Sequence, residues 1–122
     1  MEVALKLNYI TLMVRNIEKS LAFYKDLAGL HEIKRISPEA GEIVFLANAK
    51  GETMLELIEF GGVEKVETRG MVISFLAETK LEELREKAVT LGYSPSEIMI
   101  KGPKPKHFTV IDPDGIAVEF SA

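Results

Sequence analysis

Apolar and polar residues alternate over residues 5–14, which predicts a β-strand with Ile10, Leu12 and Val14 on one face and Leu7, Tyr9, Thr11 and Met13 on the other. The spacing then lengthens to that of a helix. Ile17, Leu21, Tyr24 and Leu27 recur on one face of "NIEKSLAFYKDLAGL", Asn16 is placed to cap its start, and Gly29 to end it. Short strands are expected near His31–Ile36, Glu42–Ala47 and Thr53–Glu59, separated by the turn-forming stretches "SPEAG" and "NAKG". The order then restarts. "GMVISFLA" reads as a strand over 70–77, and "TKLEELREKAVTLG" as a helix with Leu81, Leu84, Ala88 and Leu91 on one face and Gly92 as its stop. Strands are expected near Glu97–Lys101, Lys106–Ile111 and Ile116–Phe120, with the rigid "GPKPK" as a connector before the last hairpin. Ile10, Leu12 and Val14 are expected beneath the helices, together with Leu21, Tyr24, Leu81 and Leu84.

The order β-α-β-β-β therefore occurs twice. Tyr9 to Glu56 is 47 positions and Met71 to Glu119 is 48, so Glu56 in "MLELIEF" and Glu119 in "IAVEFSA" hold matching places. Several matched landmarks make an internal repeat the better reading than coincidence. The expected organisation is one domain over 1–122: a first module over about 1–60, a linker over about 61–69 with Gly61–Gly62 as hinge, and a second module over about 70–122.

Composition narrows the chemistry. A 122-residue chain with 47% hydrophobic residues can bury a core without staples. It has no cysteine, which removes disulfides, zinc–thiolate centres and thiol nucleophiles from consideration and fits a cytoplasmic setting. The net charge of −4 is spread over interspersed acids and bases, and no basic stripe offers a nucleic-acid footprint. No opening stretch has the form of a signal peptide, and no apolar run approaches membrane-spanning length, so neither nucleic acid nor membrane is expected as a partner.

"LNYITLMVRNIEKSLAFYKDLAGL" and the closing "DPDGIAVEF" resemble the vicinal oxygen chelate superfamily, which includes glyoxalase I, bleomycin-resistance proteins, fosfomycin-resistance enzymes, methylmalonyl-CoA epimerase and extradiol dioxygenases. The resemblance covers nearly the whole chain. It implies an α+β fold in which two βαβββ modules form a cup-shaped mixed sheet, pairing within one chain or across a homodimer. It also implies a divalent-metal site with one ligand from the first and one from the last strand of each module. Those positions fall here on Tyr9, Glu56, Met71 and Glu119. Both carboxylates are kept, and both nitrogen donors are replaced.

A thioether is a poor ligand for hard or borderline dications, and a phenol must lose its proton to bind one. Two carboxylates suit at most a weak hold on magnesium, manganese or calcium, so no tightly bound cofactor is expected. His107 on the strand before "DPDG", with Thr109 two positions on, is a third candidate ligand by the same resemblance; partial exposure beside "KPK" is the plainer role. If Glu56 and Glu119 meet without a cation, one of them keeps a proton to unusually high pH, and the pair suits acid–base work beside a carbonyl. The family register also turns Tyr9, Thr11, Met13, Met54 and Ile58 inward from one module and Met71, Ile73 and Phe75 from the other. That lining suits a flat or greasy small molecule with one or two polar groups. The same side chains also suit plain core packing.

Three functions follow: a small-molecule binder of the sequestering, bleomycin-resistance kind; a lyase or isomerase of the glyoxalase or epimerase kind using Glu56 and Glu119; and a structural or regulatory dimer with a filled cup. The first accords best with the loss of both nitrogen donors. Glyoxalase I, thiol-dependent fosfomycin transfer and extradiol cleavage all need metal ligands that this chain lacks.

Overall fold

The computed structural model describes residues 2–122. The chain divides into two compact units, Met1–Val66 and Glu67–Ala122, and the division falls inside the stretch read as a linker.

In the first unit, β1 (Tyr9–Met13), β2 (His31–Ile36), β3 (Gly41–Ala47) and β4 (Met54–Phe60) form one sheet in the order β1-β4-β3-β2. β1 runs parallel to β4, and the other pairs are antiparallel. β1 is shorter than the alternation predicts: residues 5–8 lie outside the ladder. Asn16 caps the helix as expected: its side chain accepts from the Lys19 N–H. A second anchor comes from the sheet, where the Glu59 carboxylate accepts from the Ile17 N–H at 2.6 Å. An anionic group at this end also complements the unpaired N–H groups of the first helical turn.

The helix is not uniform. An α-helical first part, α1 (Ile17–Leu21), gives way to a π-helical turn over Ala22–Leu27. The wider i→i+5 winding shows in the Ala28 N–H, which donates to the Phe23 carbonyl. It sets two successive aromatic residues, Phe23 and Tyr24, on the buried side, in edge-to-face contact at 4.9 Å. Gly29 then ends the helix at φ +78°. Ile17, Leu21, Tyr24 and Leu27 are all buried, and α1 packs against β4. Leu12, Val14, Val44, Leu46, Leu55 and Leu57 complete this core. Ile10 does not join it: near the open end of an edge strand, it is 41% exposed.

In the second unit, β5 (Val72–Leu76), β6 (His107–Ile111) and β7 (Ala117–Ser121) form a sheet in the order β5-β7-β6, with β5 parallel and β6 antiparallel to β7. Helix α2 (Leu81–Thr90) packs on β6, with Leu81 and Ala88 buried. Leu84 is only half-buried and Leu91 is exposed, so the apolar stripe of α2 is narrower than its spacing predicts.

The strand expected near Glu97–Lys101 does not form. A single bridge joins Met99 to His107, and next to it the Ser96 side chain, rather than a backbone carbonyl, accepts from the Thr109 N–H. Pro95 has no N–H to offer a ladder, and a side chain standing in for the backbone breaks the regular pairing. The closing turn is firmly built. Buried Asp112 accepts through one oxygen from both the Asp114 and Ile116 N–H groups, each at 2.8 Å, and Gly115 takes φ +88°. Ile116, Val118 and Phe120 then point into the core as their alternation predicts, where Phe120 stacks on Phe108 at 5.3 Å.

Candidate functional site

Each unit centres one glutamate on the face of its sheet turned away from the core, and each glutamate is nearly inaccessible. Glu56 is 8% exposed and Glu119 6%. Isolated buried charges are costly, so the partners that compensate each one define the chemistry of the two faces.

In the first unit, Glu56 lies in β4 with Thr11 of β1 as its parallel partner and Phe45 of β3 as its antiparallel one. Residues level with each other in a ladder share a face, so the three side chains stand together. The Thr11 hydroxyl donates to Oε1 of Glu56. Two positions either way on β4 bring Met54 and Ile58 to the same face, level with Tyr9 and Met13. Tyr9 meets Phe45 edge-to-face at 5.4 Å. The result is an apolar and aromatic platform around one carboxylate, with Met13, Phe45, Met54 and Ile58 half-buried and Tyr9 43% exposed. Of the residues singled out from the sequence, Tyr9, Thr11, Met54 and Glu56 are brought together here. Phe45 joins them, and strand alternation near Glu42–Ala47 could have shown it.

The second unit repeats the arrangement with a difference. Glu119 lies in β7 between Ser74 of β5 and Thr109 of β6. The Ser74 hydroxyl donates to Oε2 of Glu119 at 2.9 Å, and the Lys104 ammonium donates to Oε1 in an ion pair. His107 Nε2 stands 3.9 Å from that same oxygen. The other ring nitrogen, Nδ1, lies 2.8 Å from the Pro105 carbonyl, which only accepts; Nδ1 therefore carries the proton in this contact. Hydrogen bonding to the Lys104 ammonium, above all, holds the Glu119 carboxyl below the usual glutamate range. The Ser74 bond and the nearby Lys104 and His107 charges act the same way, against the opposing effect of burial.

The structure places the other sequence candidates as follows. Ile73 is level with Val118 and Phe75 with Phe120, and Phe75 stacks on Phe120 at 5.7 Å. Both therefore lie on the core side of β5, away from Glu119. Met71 precedes β5 and is half-buried. The face shared with Glu119 carries Val72, Ser74 and Leu76 instead, one position on from the expected set. His107 and Thr109 do lie on the Glu119 face. Sequence reasoning missed Ser74 and Lys104. A usable signal existed for Ser74, because both hydroxyl–glutamate pairs span the same 45 positions.

The donors do not fit the divalent ion that the family resemblance implies. Two of the four positions offer a phenol and a thioether, and Lys104 sets a positive charge on the Glu119 oxygen that a cation would need. Among the described residues, neither unit gathers three or more histidine, aspartate or glutamate side chains in a metal-holding group.

Comparison with known proteins agrees with this fold. The profile of the Glyoxalase/Bleomycin resistance protein/Dioxygenase superfamily matches residues 6–120, and the chain belongs to that superfamily. No curated protein matches it significantly in sequence. Among solved structures, it resembles TnmS3, an antibiotic binding protein from Streptomyces sp. CB03234, with TM-score 0.76 and 16% identity over 99% of this chain and 98% of that one. It also resembles the trypanothione-dependent glyoxalase I of Leishmania major, with TM-score 0.77 and 22% identity over 97% of this chain and 86% of that one. A glyoxalase/bleomycin resistance protein/dioxygenase domain from Frankia sp. EAN1pec gives TM-score 0.75 and 22% identity over 97% of both chains. At these identities the likeness concerns the fold. Among the described residues, no helix is long and apolar enough to cross a membrane.

Proposed function

We propose that this protein binds and sequesters a small, largely apolar molecule bearing a polar group, and leaves it chemically unchanged. The observation that carries this reading is the platform of the first unit, where Tyr9, Phe45, Met54 and Ile58 surround a single buried carboxylate. Apolar and aromatic area supplies affinity, and one or two placed polar groups supply orientation. A thioether and aromatic rings adapt to varied ligand shapes. The antibiotic binding by the similarly folded TnmS3 supports the reading by analogy. We place the protein in the cytoplasm and expect a homodimer, in which exposed Val3, Leu5 and Leu7 would find cover.

A second reading is favoured by the asymmetry between the two glutamates. Glu119 is committed to a lysine, whereas Glu56 is held by a neutral hydroxyl alone among the described residues. A carboxylate so held is free to accept a proton from a bound carbonyl compound, as a lyase or isomerase would require. Glu56 would then be the base, and Glu119 a fixed charge.

One experiment separates the two. An apolar small-molecule library is screened by thermal shift, hits are titrated calorimetrically against the wild type and Glu56→Gln, and each ligand is recovered and weighed by mass spectrometry. Stoichiometric binding with the ligand recovered intact supports sequestration. A converted ligand, with conversion lost in Glu56→Gln, replaces it with the enzymatic reading.

A further inference from the structure

The Glu119 face is built to receive a cation, and the chain fills it with one of its own. Oε1 of Glu119 accepts from the Lys104 ammonium, and His107 Nε2 stands 3.9 Å from the same oxygen. The second carboxylate oxygen is fixed by Ser74.

Lys104 is delivered by an unusual stretch. Gly102 takes φ +109°, and Pro103 and Pro105 flank the lysine and restrict its backbone. The acceptor is buried, but the lysine side chain is 53% exposed. Its ammonium can therefore swing into solvent, where its hydration is recovered, without disturbing the core. A buried carboxylate cannot be left bare at comparable cost.

We propose that Glu119, His107 and Ser74 form an ammonium-binding subsite, that Lys104 occupies it in the ligand-free protein, and that the amino group of a ligand displaces Lys104 on binding. This goes beyond the sequestration reading, whose platform lies in the first unit: the class bound at the second unit is an apolar molecule bearing a primary amine. Val72 and Leu76, exposed on the same face beside Ser74, offer apolar contact next to the amine. Because Lys104 competes for the same oxygen, it lowers the apparent affinity by the fraction of molecules in which it has vacated the subsite.

The test uses n-butylammonium as probe and 1-butanol as its neutral counterpart, titrated against the wild type and Lys104→Met. The n-butylammonium ion is expected to bind Lys104→Met about tenfold more tightly than the wild type, while 1-butanol shows no such gain. In the wild type, the carbon-13 resonance of the Glu119 carboxylate and the nitrogen-15 resonance of the Lys104 ammonium should shift together as the probe is added. This readout needs no variant at Glu119. The proposal is overturned if Lys104→Met binds the ammonium no better than the wild type, or if 1-butanol gains equally. Equal gain by 1-butanol would leave apolar sequestration standing and remove only the amine. A library screen without hits would remove sequestration while the ammonium titration still reports on the subsite.

Discussion

Thr11 stands level with Glu56 on the neighbouring parallel strand, and its hydroxyl donates a hydrogen bond to a carboxylate that is almost wholly buried. Thr11→Val keeps the shape of the side chain and removes that donor. It is expected to destabilise the protein by about 1–3 kcal/mol, the cost of an unsatisfied buried acceptor. Thr11→Ser should stay within about 1 kcal/mol of the wild type, since the hydroxyl remains. Urea denaturation of both variants, alone and combined with Glu56→Gln, checks this; the effect of Thr11→Val should shrink when Glu56 no longer carries charge.

Acid should reveal the grip of Lys104. Glu119 has a folded-state pKa below its ordinary value of 4.5, so its contribution to stability is present in full above that value and is lost as the pH falls through the lowered one. Lys104→Met removes the foremost cause of the lowering. Burial then pushes the carboxyl up against the Ser74 bond alone among the hydrogen bonds, and the acid loss of stability should begin at higher pH. Melting temperature measured against pH for both proteins tests this, and identical acid limbs would refute it.

Phe120 is sandwiched in the second core, stacked on Phe108 at 5.3 Å and on Phe75 at 5.7 Å. Phe120→Ala is expected to cost about 3–5 kcal/mol, the range for a large aromatic removed from a close-packed interior. Phe75→Ala should cost less, because that ring is already half-buried. Chemical denaturation of the two variants gives the comparison.

Gly41 opens β3 where no side chain fits. A Cβ there would lie 2.0 Å from the Glu59 carbonyl oxygen. Gly51, at φ +89°, has open space around it. Gly51→Ala should cost about 1 kcal/mol from backbone strain alone, and Gly41→Ala about 1–3 kcal/mol more because the β3–β4 pair must move apart. Denaturation midpoints rank the two.

The fold could be read from the sequence because its signals are local and repeated. The turn-forming stretches bounded β2 to its end residues, Asn16 named the helix cap, and "DPDG" named the last turn. The site was legible only in its first half. Tyr9, Thr11, Met54 and Glu56 share a face because two strands keep strict alternation around a parallel register. In the second half, matching Met71 to Tyr9 shifted the register by one position, and in a strand a single step exchanges the faces. Ile73 and Phe75 consequently went to the core and Ser74 to the glutamate. Lys104 could not be found by pattern at all. It reaches Glu119 from a proline-flanked loop, and loop conformation leaves no period in the sequence.

The π-helical turn at Ala22–Leu27 stores surplus chain. Deleting one residue there would let the segment rewind as an ordinary α-helix, with its cap and its glycine stop intact. The narrower winding would no longer seat both Phe23 and Tyr24 inside, and one ring would have to surface. A shortened sequence could thus remain helical while losing part of its aromatic anchor, which makes this turn a point where chain length and core composition are coupled.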